Sequence, residues 1–472
     1  MKMSLSEVAR LVGGELVGKD AVFEGLQVDS REIKGGELFS AVEGARVDGH
    51  DYVAKAITRG AVGALVKYDP MPADLKADDD PIRKKFIREG FSLIEERTLR
   101  PIVLVESVSS ALAAIALHFR RMLKGPVVGV TGSAGKTTVK EMIAAALSPL
   151  GDVLKSEGNL NTEFGVPMTW AKLQHNHKAA VIEMAMRGPG QIAHLARMSA
   201  PDIGVVASVG SAHIGELGSR EAIAGAKAEL LEALPAGGTA VIPSDSDFTE
   251  FLRGAASCKV VTVGPDGDFR ILESRQSGES VEFAIATPAG ELAGMVPGIG
   301  EIQAKNAAMA IAAATAAGVS PSAALAALKS AQFPDKRMQL LNRNGVAIWL
   351  DAYNSSPESC ILALRSFQIA QFAGRRFAVL GDMLELGAFA EEKHREVGSI
   401  AAQVGLSELV VVGELAPWIA EGARAAGYVG DVSYYDDATS ARQVFDRTRA
   451  GDAVLIKASR GLALERILEP AS

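Results

Sequence analysis

Short apolar runs of four to six residues, each stopped by glycine or a polar turn and followed by a helix-length amphipathic stretch, recur along the chain from residue 101 onward. Residues 127–131, 179–183, 203–208 and 239–242 read as buried strands, and their alternation with helical segments predicts a mostly parallel α/β sheet. A second set at 346–351, 377–381, 409–413 and 453–457 predicts a doubly wound, Rossmann-like domain. Before residue 100 the strands are shorter and punctuated by glycine, with a helix ending near Gly60, as in a small α/β domain. The pattern divides the chain into domains over 1–100, 101–331 and 332–472, which suits 472 residues at roughly 150 per domain. Residues 69–100 carry prolines and charge with weak periodicity, and are expected to form a solvated excursion.

The strongest local signal lies at 127–143, VVGVTGSAGKTTVKEMI, where an apolar run stops at a glycine loop and a helix-forming segment follows. Such a turn aims successive backbone N–H groups and a helix N-terminus at phosphate. Gly132, Ser133, Ala134 and Gly135 form the loop, Lys136 brings a cation to the outer phosphates, and Thr137 and Thr138 follow, Thr137 with a hydroxyl for Mg²⁺. The spacing is a shortened GxxGKTT, with Val130 where the usual first glycine stands.

Further candidates fall at strand ends. Glu183 closes the run AAVIE, where a nucleotide-binding sheet needs a carboxylate for Mg²⁺, although a strand-end glutamate is often simply solvated. His213 follows the run at 203–208, on the same expected rim, although a lone histidine is more often structural. Lys227 stands within the helical stripe of Ile223, Leu230, Leu231 and Leu234, so it either snorkels outward or serves a buried site. Asp351, Asn354, Asp382, Glu385, Ser459 and Arg460 come just after C-terminal strands, where open α/β sheets place ligands. His175 and His177 form an HxH without a matching third ligand, which favours a surface loop over zinc.

Composition narrows the class. A net charge of −8 argues against general nucleic-acid binding and leaves an acidic nucleotide to local cations, helix ends and Mg²⁺. No run reaches the roughly 18 uncharged apolar residues of a membrane span, and Cys258 and Cys360 are too few for a disulfide framework, so a cytoplasmic protein without integral membrane contact is expected.

These motifs together resemble the Mur ligase family of bacterial cell-wall synthesis over nearly the whole chain. The resemblance rests on DSR (29–31), LFSAVEG and DGHDY; on TGSAGKTTVKE, GNLNTEFGVP, EMAMRGPGQI, AHIGELGS and AKAEL; and on DAYNSSPES, VLGDMLELG, His394 and KASRG. The DAYN and LGDMLELG pair is similar to the branch that adds D-alanyl-D-alanine to UDP-N-acetylmuramoyl-tripeptide. The resemblance implies ATP as co-substrate, an acyl-phosphate intermediate, and three domains for UDP-sugar, ATP and amino substrate. It implies that Thr137 and Glu183 hold one Mg²⁺, and that His213 and a carbamylated Lys227 hold a second. Asn306 would meet adenine, with Arg337 and Asp351 at the phosphates and ribose. Ser30 and Arg31 would meet the uridine diphosphate, Asn159, Asn161 and Thr162 the acceptor, and Asn354, Lys457 and Arg460 the substrate in the C-terminal domain. A monomer is expected.

The chain departs from the family at three places, one of them the charged excursion at 69–100, which is longer than usual and could cover or lengthen the uridine-diphosphate site. Gly300, Glu301, Ile302 and Gln303 stand where GxHN is common, and Thr162 replaces a frequent asparagine. The rival readings are a sister amide ligase, for UDP-dipeptide or folate, and a phosphate-loop switch ATPase. The third-domain motifs oppose the first rival. The second usually shows a lysine ahead of the loop and an amphipathic tail, and neither is seen.

Overall fold

The computed structural model describes residues 2–44, 47–67, 101–333 and 336–469, so the expected excursion at 69–100 lies outside the described residues. The chain forms two compact units, one of Met1–Val127, Gly151–Met184 and His194–Ala200, the other of Val128–Leu150, Ala185–Ala193 and Pro201–Ser472.

In the first unit, strands Glu15–Val17, Ile102–Val105, Gly63–Lys67, Leu38–Ser40 and Leu26–Gln27 lie side by side in that order. Only the first pairing is antiparallel. Phe39, Ala64, Val66 and Ile102 from these strands pack with Val53 and Ala56 of the helix Val53–Thr58. Ile102–Val105 therefore belongs to the first sheet, beyond the boundary expected at residue 100. Its period is that of a buried strand, and sequence alone does not say which sheet claims it. The first helix, Leu5–Val12, is fixed at both ends by local chemistry. Ser4 and Glu7 form a reciprocal capping box, and Gly13 closes the helix in the left-handed region at φ 67°. The same unit holds the parallel pair Asp152–Lys155 and His177–Glu183.

The second unit contains the phosphate-loop strand. Lys259–Val263, Thr239–Pro243, Ile203–Val206 and Val127–Thr131 run parallel in that order, with Thr239–Pro243, Ile203–Val206 and Val127–Thr131 buried throughout. Burial on both faces explains their unbroken apolar runs. Helix Ile302–Ala316 is buried around most of its girth and packs against the loop helix Lys136–Leu147, which accounts for its string of alanines. Strands Arg270–Ser277, Ser280–Thr287 and Gly290–Pro297 form a separate antiparallel sheet. The expectation of a mostly parallel sheet misses this small sheet, although Val281, Phe283 and Ile285 point inward at a period of two.

The C-terminal sheet has the order Gln339–Arg343, Val346–Asp351, Ala453–Lys457, Arg376–Gly381, Glu408–Val412, Asp431–Tyr435. It is parallel except for the first hairpin. Cys360 is buried in helix Pro357–Ile369, where desolvation pushes its thiol up to about 12, whereas Cys258 is partly exposed.

Candidate active site

The phosphate loop is a sharp turn because Gly135 takes φ 80°, a left-handed conformation that costs a Cβ-bearing residue strain, directly before the helix beginning at Lys136. Side-chain and backbone bonds stitch the loop to the turn after strand Ile203–Val206. Ser133 donates its N–H to Ser208 O at 3.0 Å, Ala134 donates its N–H to Ser208 Oγ at 2.9 Å, and that hydroxyl donates to Ala134 O at 2.9 Å. Gly210 donates its N–H to Ser133 Oγ at 2.9 Å. Lys136 folds its ammonium onto Gly132 O at 2.7 Å, and Thr137 is buried at the start of the helix. Thr138 is half-buried one residue on.

Lys227 is 1% exposed, on helix Arg220–Glu232. Burial holds its ammonium well below the usual lysine range, the nearby Lys136 charge pushes the same way, and Glu358 opposes both. The snorkelling alternative is thus excluded. Depressed basicity shifts a buried amine toward the nucleophilic free base, which is the form that reacts with CO₂.

The C-terminal sheet sends two carboxylates to this unit's loops. Glu358, in the first turn of helix Pro357–Ile369, accepts the backbone N–H of Ser211 on Oε1. Its Oε2 is buried with no hydrogen-bond partner, and so are Ser211 Oγ and Thr131 Oγ1. Gly210 leaves room for this carboxylate, because a Cβ there would lie 2.5 Å from Glu358 Cδ. Glu385 places Oε2 2.7 Å from His213 Nδ1 and Oε1 3.2 Å from Arg187 Nη2. Although the two atoms lie close, no hydrogen bond forms between them, and His213 Nδ1 is buried without a hydrogen-bond partner. The His213 contact is the main reason the Glu385 carboxyl titrates below its ordinary range. Sequence reading assigned no role to Glu358 and did not pair Glu385 with His213, because both depend on which loops meet in space.

Asn306 is buried and donates Nδ2 to Gln303 Oε1 at 3.0 Å, while Gln303 Nε2 bonds Ile299 O at 3.2 Å. A Cβ on Gly135 would stand 3.5 Å from Asn306 Oδ1, so the helix carries its asparagine to the phosphate loop. Gln303, one of the departures from the family pattern, orients it.

Arg337 and Arg460 lie over Tyr353, their guanidinium carbons 4.1 and 5.4 Å from the ring centroid. Arg337 Nε is buried and unbonded. Asp351 accepts Lys457 Nζ at 2.5 Å and Met338 N–H at 3.3 Å, and Lys457 also donates to Asn354 O at 3.1 Å. Lys457 is 1% exposed, so its charge is already committed to Asp351, whereas Asn354 and Arg460 are exposed.

The remaining candidates belong to the first unit. Ser30 is buried in a short turn capped by Asp29, and the exposed Arg31 is held by Asp29 at 2.7 Å. Asn161 donates Nδ2 to Glu183 Oε1 at 2.8 Å, and Glu183 is buried, with its N–H bonded to Ser156 Oγ at 3.1 Å. Asn159 and Thr162 are exposed on the same turn, where Asn159 O accepts Asn161 N–H and Thr162 O accepts Val166 N–H. His177 opens its strand and accepts Gln174 N–H on Nδ1 at 2.9 Å. Among the described residues no group of three or more His, Cys, Asp or Glu converges on a point. A metal here would depend on oxygen from Thr137, from a modified lysine and from substrate phosphate, a hard donor set that suits Mg²⁺. No helix among the described residues is long and apolar enough to cross a membrane.

Three family signatures match in chain order: "Mur ligase family, catalytic domain" over residues 22–120, "Mur ligase middle domain" over 130–314, and "Mur ligase, glutamate ligase domain" over 336–460. The UDP-N-acetylmuramoyl-tripeptide–D-alanyl-D-alanine ligase of Bacillus subtilis is 32% identical, across 99% of this chain and 98% of the relative. The ligase of the same name from Escherichia coli is 30% identical, across 99% and 98%. Among solved structures, MurF from Acinetobacter baumannii superposes with a TM-score of 0.86 at 26% identity, covering 99% of this chain and 98% of that one. MurF ligase from Thermotoga maritima in complex with ADP gives 0.77 at 29%, covering 94% and 96%. With relatives at this identity over nearly its whole length, the chain belongs to the Mur ligase family and is an ATP-dependent ligase.

Proposed function

We propose that this protein joins D-alanyl-D-alanine to UDP-N-acetylmuramoyl-tripeptide in peptidoglycan precursor synthesis, converting ATP to ADP and phosphate. The observation that carries the reading is the full-length likeness to ligases of that name. The site chemistry supports it. A carboxylate repels nucleophiles and has no good leaving group, so ATP first phosphorylates the terminal carboxylate of the tripeptide. The amine of the dipeptide then attacks the acyl phosphate, the C–O bond to phosphate breaks, the amide forms and the ammonium proton is lost to solvent.

Catalysis of both steps is mainly positioning and charge neutralisation. The N–H groups of Gly132, Gly135 and Thr138 and the start of helix Lys136–Leu147 cradle the phosphates, while those of Ser133 and Ala134 hold the loop to Ser208. Lys136 leaves Gly132 O to follow the transferring group. Asn306, oriented by Gln303, reads adenine, while Arg337 and Asp351 approach phosphates and ribose. Ser30 and Arg31 hold the uridine diphosphate, and Asn159, Asn161 and Thr162 the acceptor peptide. Asn354 and Arg460 face the dipeptide, while Lys457 acts through Asp351. Mg²⁺, when bound, would neutralise phosphate charge; Thr137 and Glu183 would supply oxygen to one ion, and the imidazole nitrogen of His213 with the carbamate oxygen of a modified Lys227 would hold another. The protein works in the cytoplasm as a monomer, without nucleic acid.

The test is phosphate release with mass detection of the amide. Sustained turnover should need both the UDP-tripeptide and the dipeptide, and Lys136→Ala should lower kcat by about 10³ or more with an unchanged circular dichroism spectrum. Phosphate release that ignores either substrate sinks the reading. Side-by-side assay of tripeptides ending in diaminopimelate and in lysine identifies the third residue.

A further inference from the structure

His213 and Glu385 are both non-glycine residues in the left-handed region, at φ 67° and 64°. Such backbone is strained and persists where surrounding contacts hold it. Here the contacts are mutual. Gly215, two residues past His213, donates its N–H to Glu385 O at 3.2 Å. A Cβ on Gly215 would stand 2.6 Å from Gly387 N and 2.8 Å from Leu386 C, so the two turns meet backbone to backbone. The contact brings Oε2 of Glu385 to 2.7 Å from Nδ1 of His213, while Oε1 faces Arg187.

We propose that Glu385 is a positioning residue: by taking the Nδ1 hydrogen of His213 it fixes the tautomer whose Nε2 lone pair meets a divalent cation, so that the C-terminal domain completes the metal site of the central domain. The proposal rests on the functional reading above only in assigning His213 to a cation. A carboxylate on the far nitrogen of a metal-bound imidazole both orients the ring and raises its basicity. The pair stands at contact distance without a hydrogen bond, and in this scheme the ring turns to its ion to complete one. The metal, in this scheme, is bound well only when the loop 382–387 is seated on the turn 213–217. Metal occupancy then reports domain engagement, and the strain at both residues is the cost of bringing the two turns together.

The experiment counts Mn²⁺ by electron paramagnetic resonance on the full chain, pre-equilibrated with bicarbonate and with a non-hydrolysable ATP analogue. Wild type should hold two ions. Glu385→Ala should keep the first and weaken the second about 10- to 100-fold, and Glu385→Asp should recover part of the loss. Gly215→Ala, which alters neither residue of the pair but separates the two turns, should weaken the same ion. In ¹⁵N spectra, with His213→Gln used only for assignment, His213 should be the Nδ1–H tautomer in wild type and a mixture in Glu385→Ala. Two equally tight ions in Glu385→Ala, one ion in wild type, or an unchanged tautomer overturns the proposal. Glu385-dependent Mn²⁺ binding in an enzyme that forms no amide would instead sink the substrate reading and leave this one standing.

Discussion

Two side chains show how strongly burial sets chemistry at single residues in this protein. Lys227 is enclosed, and its basicity is depressed first by desolvation and then by Lys136. Its free base should capture ¹³CO₂ at a pH where surface lysines remain ammonium, giving a carbamate resonance in ¹³C spectra that Mg²⁺ sharpens and Lys227→Arg abolishes. Activity equal to wild type in Lys227→Arg would refute the carbamate. His394 is neutral for a different purpose. Nδ1 donates to Ala390 O at 2.6 Å and Nε2 accepts the Met383 N–H at 3.0 Å, so it holds the start of the LGDMLELG loop. Burial lowers its affinity for a proton, outweighing the Ala390 carbonyl and Asp382. The unfolded chain therefore binds a proton first as pH falls through about 6.5, and the stability tied to neutral His394 is present above that pH and lost below it. Thermal unfolding from pH 7.5 to 5 should show this loss, and His394→Gln should flatten it.

At the scale of elements, strands announced themselves where burial on both faces leaves an unbroken apolar run, as at Val127–Thr131 and Ala453–Lys457. The antiparallel sheet over 270–297 was less legible, because its alternating pattern is diluted by exposed polar positions such as Glu273 and Glu291. The site followed the same rule. Residues of the phosphate loop are contiguous and could be read directly, whereas Glu358 on Ser211 and Glu385 beside His213 join positions far apart in the chain, and no local spacing encodes them. Lys457 adds a pairing that local spacing does not encode: the family resemblance assigns it to substrate, and the parallel register sets it opposite Asp351 on the neighbouring strand, where the two charges pair. Lys457→Met should leave Asp351 with an unmatched, largely enclosed charge, at a cost of about 2–4 kcal/mol. Calorimetry should show the midpoint of unfolding falling by roughly 5–10 °C, and a shift under 2 °C would mean that Asp351 finds water instead.

For the molecule as a whole, the proposed function draws the sites for nucleotide, acceptor and amine from separate domains, which would act together only if ligands gather them. Small-angle scattering should show the radius of gyration falling on addition of an ATP analogue with UDP-tripeptide, and an unchanged curve would count against ligand-driven closure. The two thiols offer a second, finer reading. Cys258 sits partly exposed in the central domain, and Cys360 lies buried in the C-terminal helix that also carries Glu358, its thiol held in the un-ionised state. An alkylating reagent should therefore label Cys258 promptly in the native protein and reach Cys360 only when that helix lifts from its sheet. Since nature left the chain just these two cysteines, the ratio of the two labelling rates is a clock already installed: it times the opening of the domain that delivers the carboxylates, without any engineered probe.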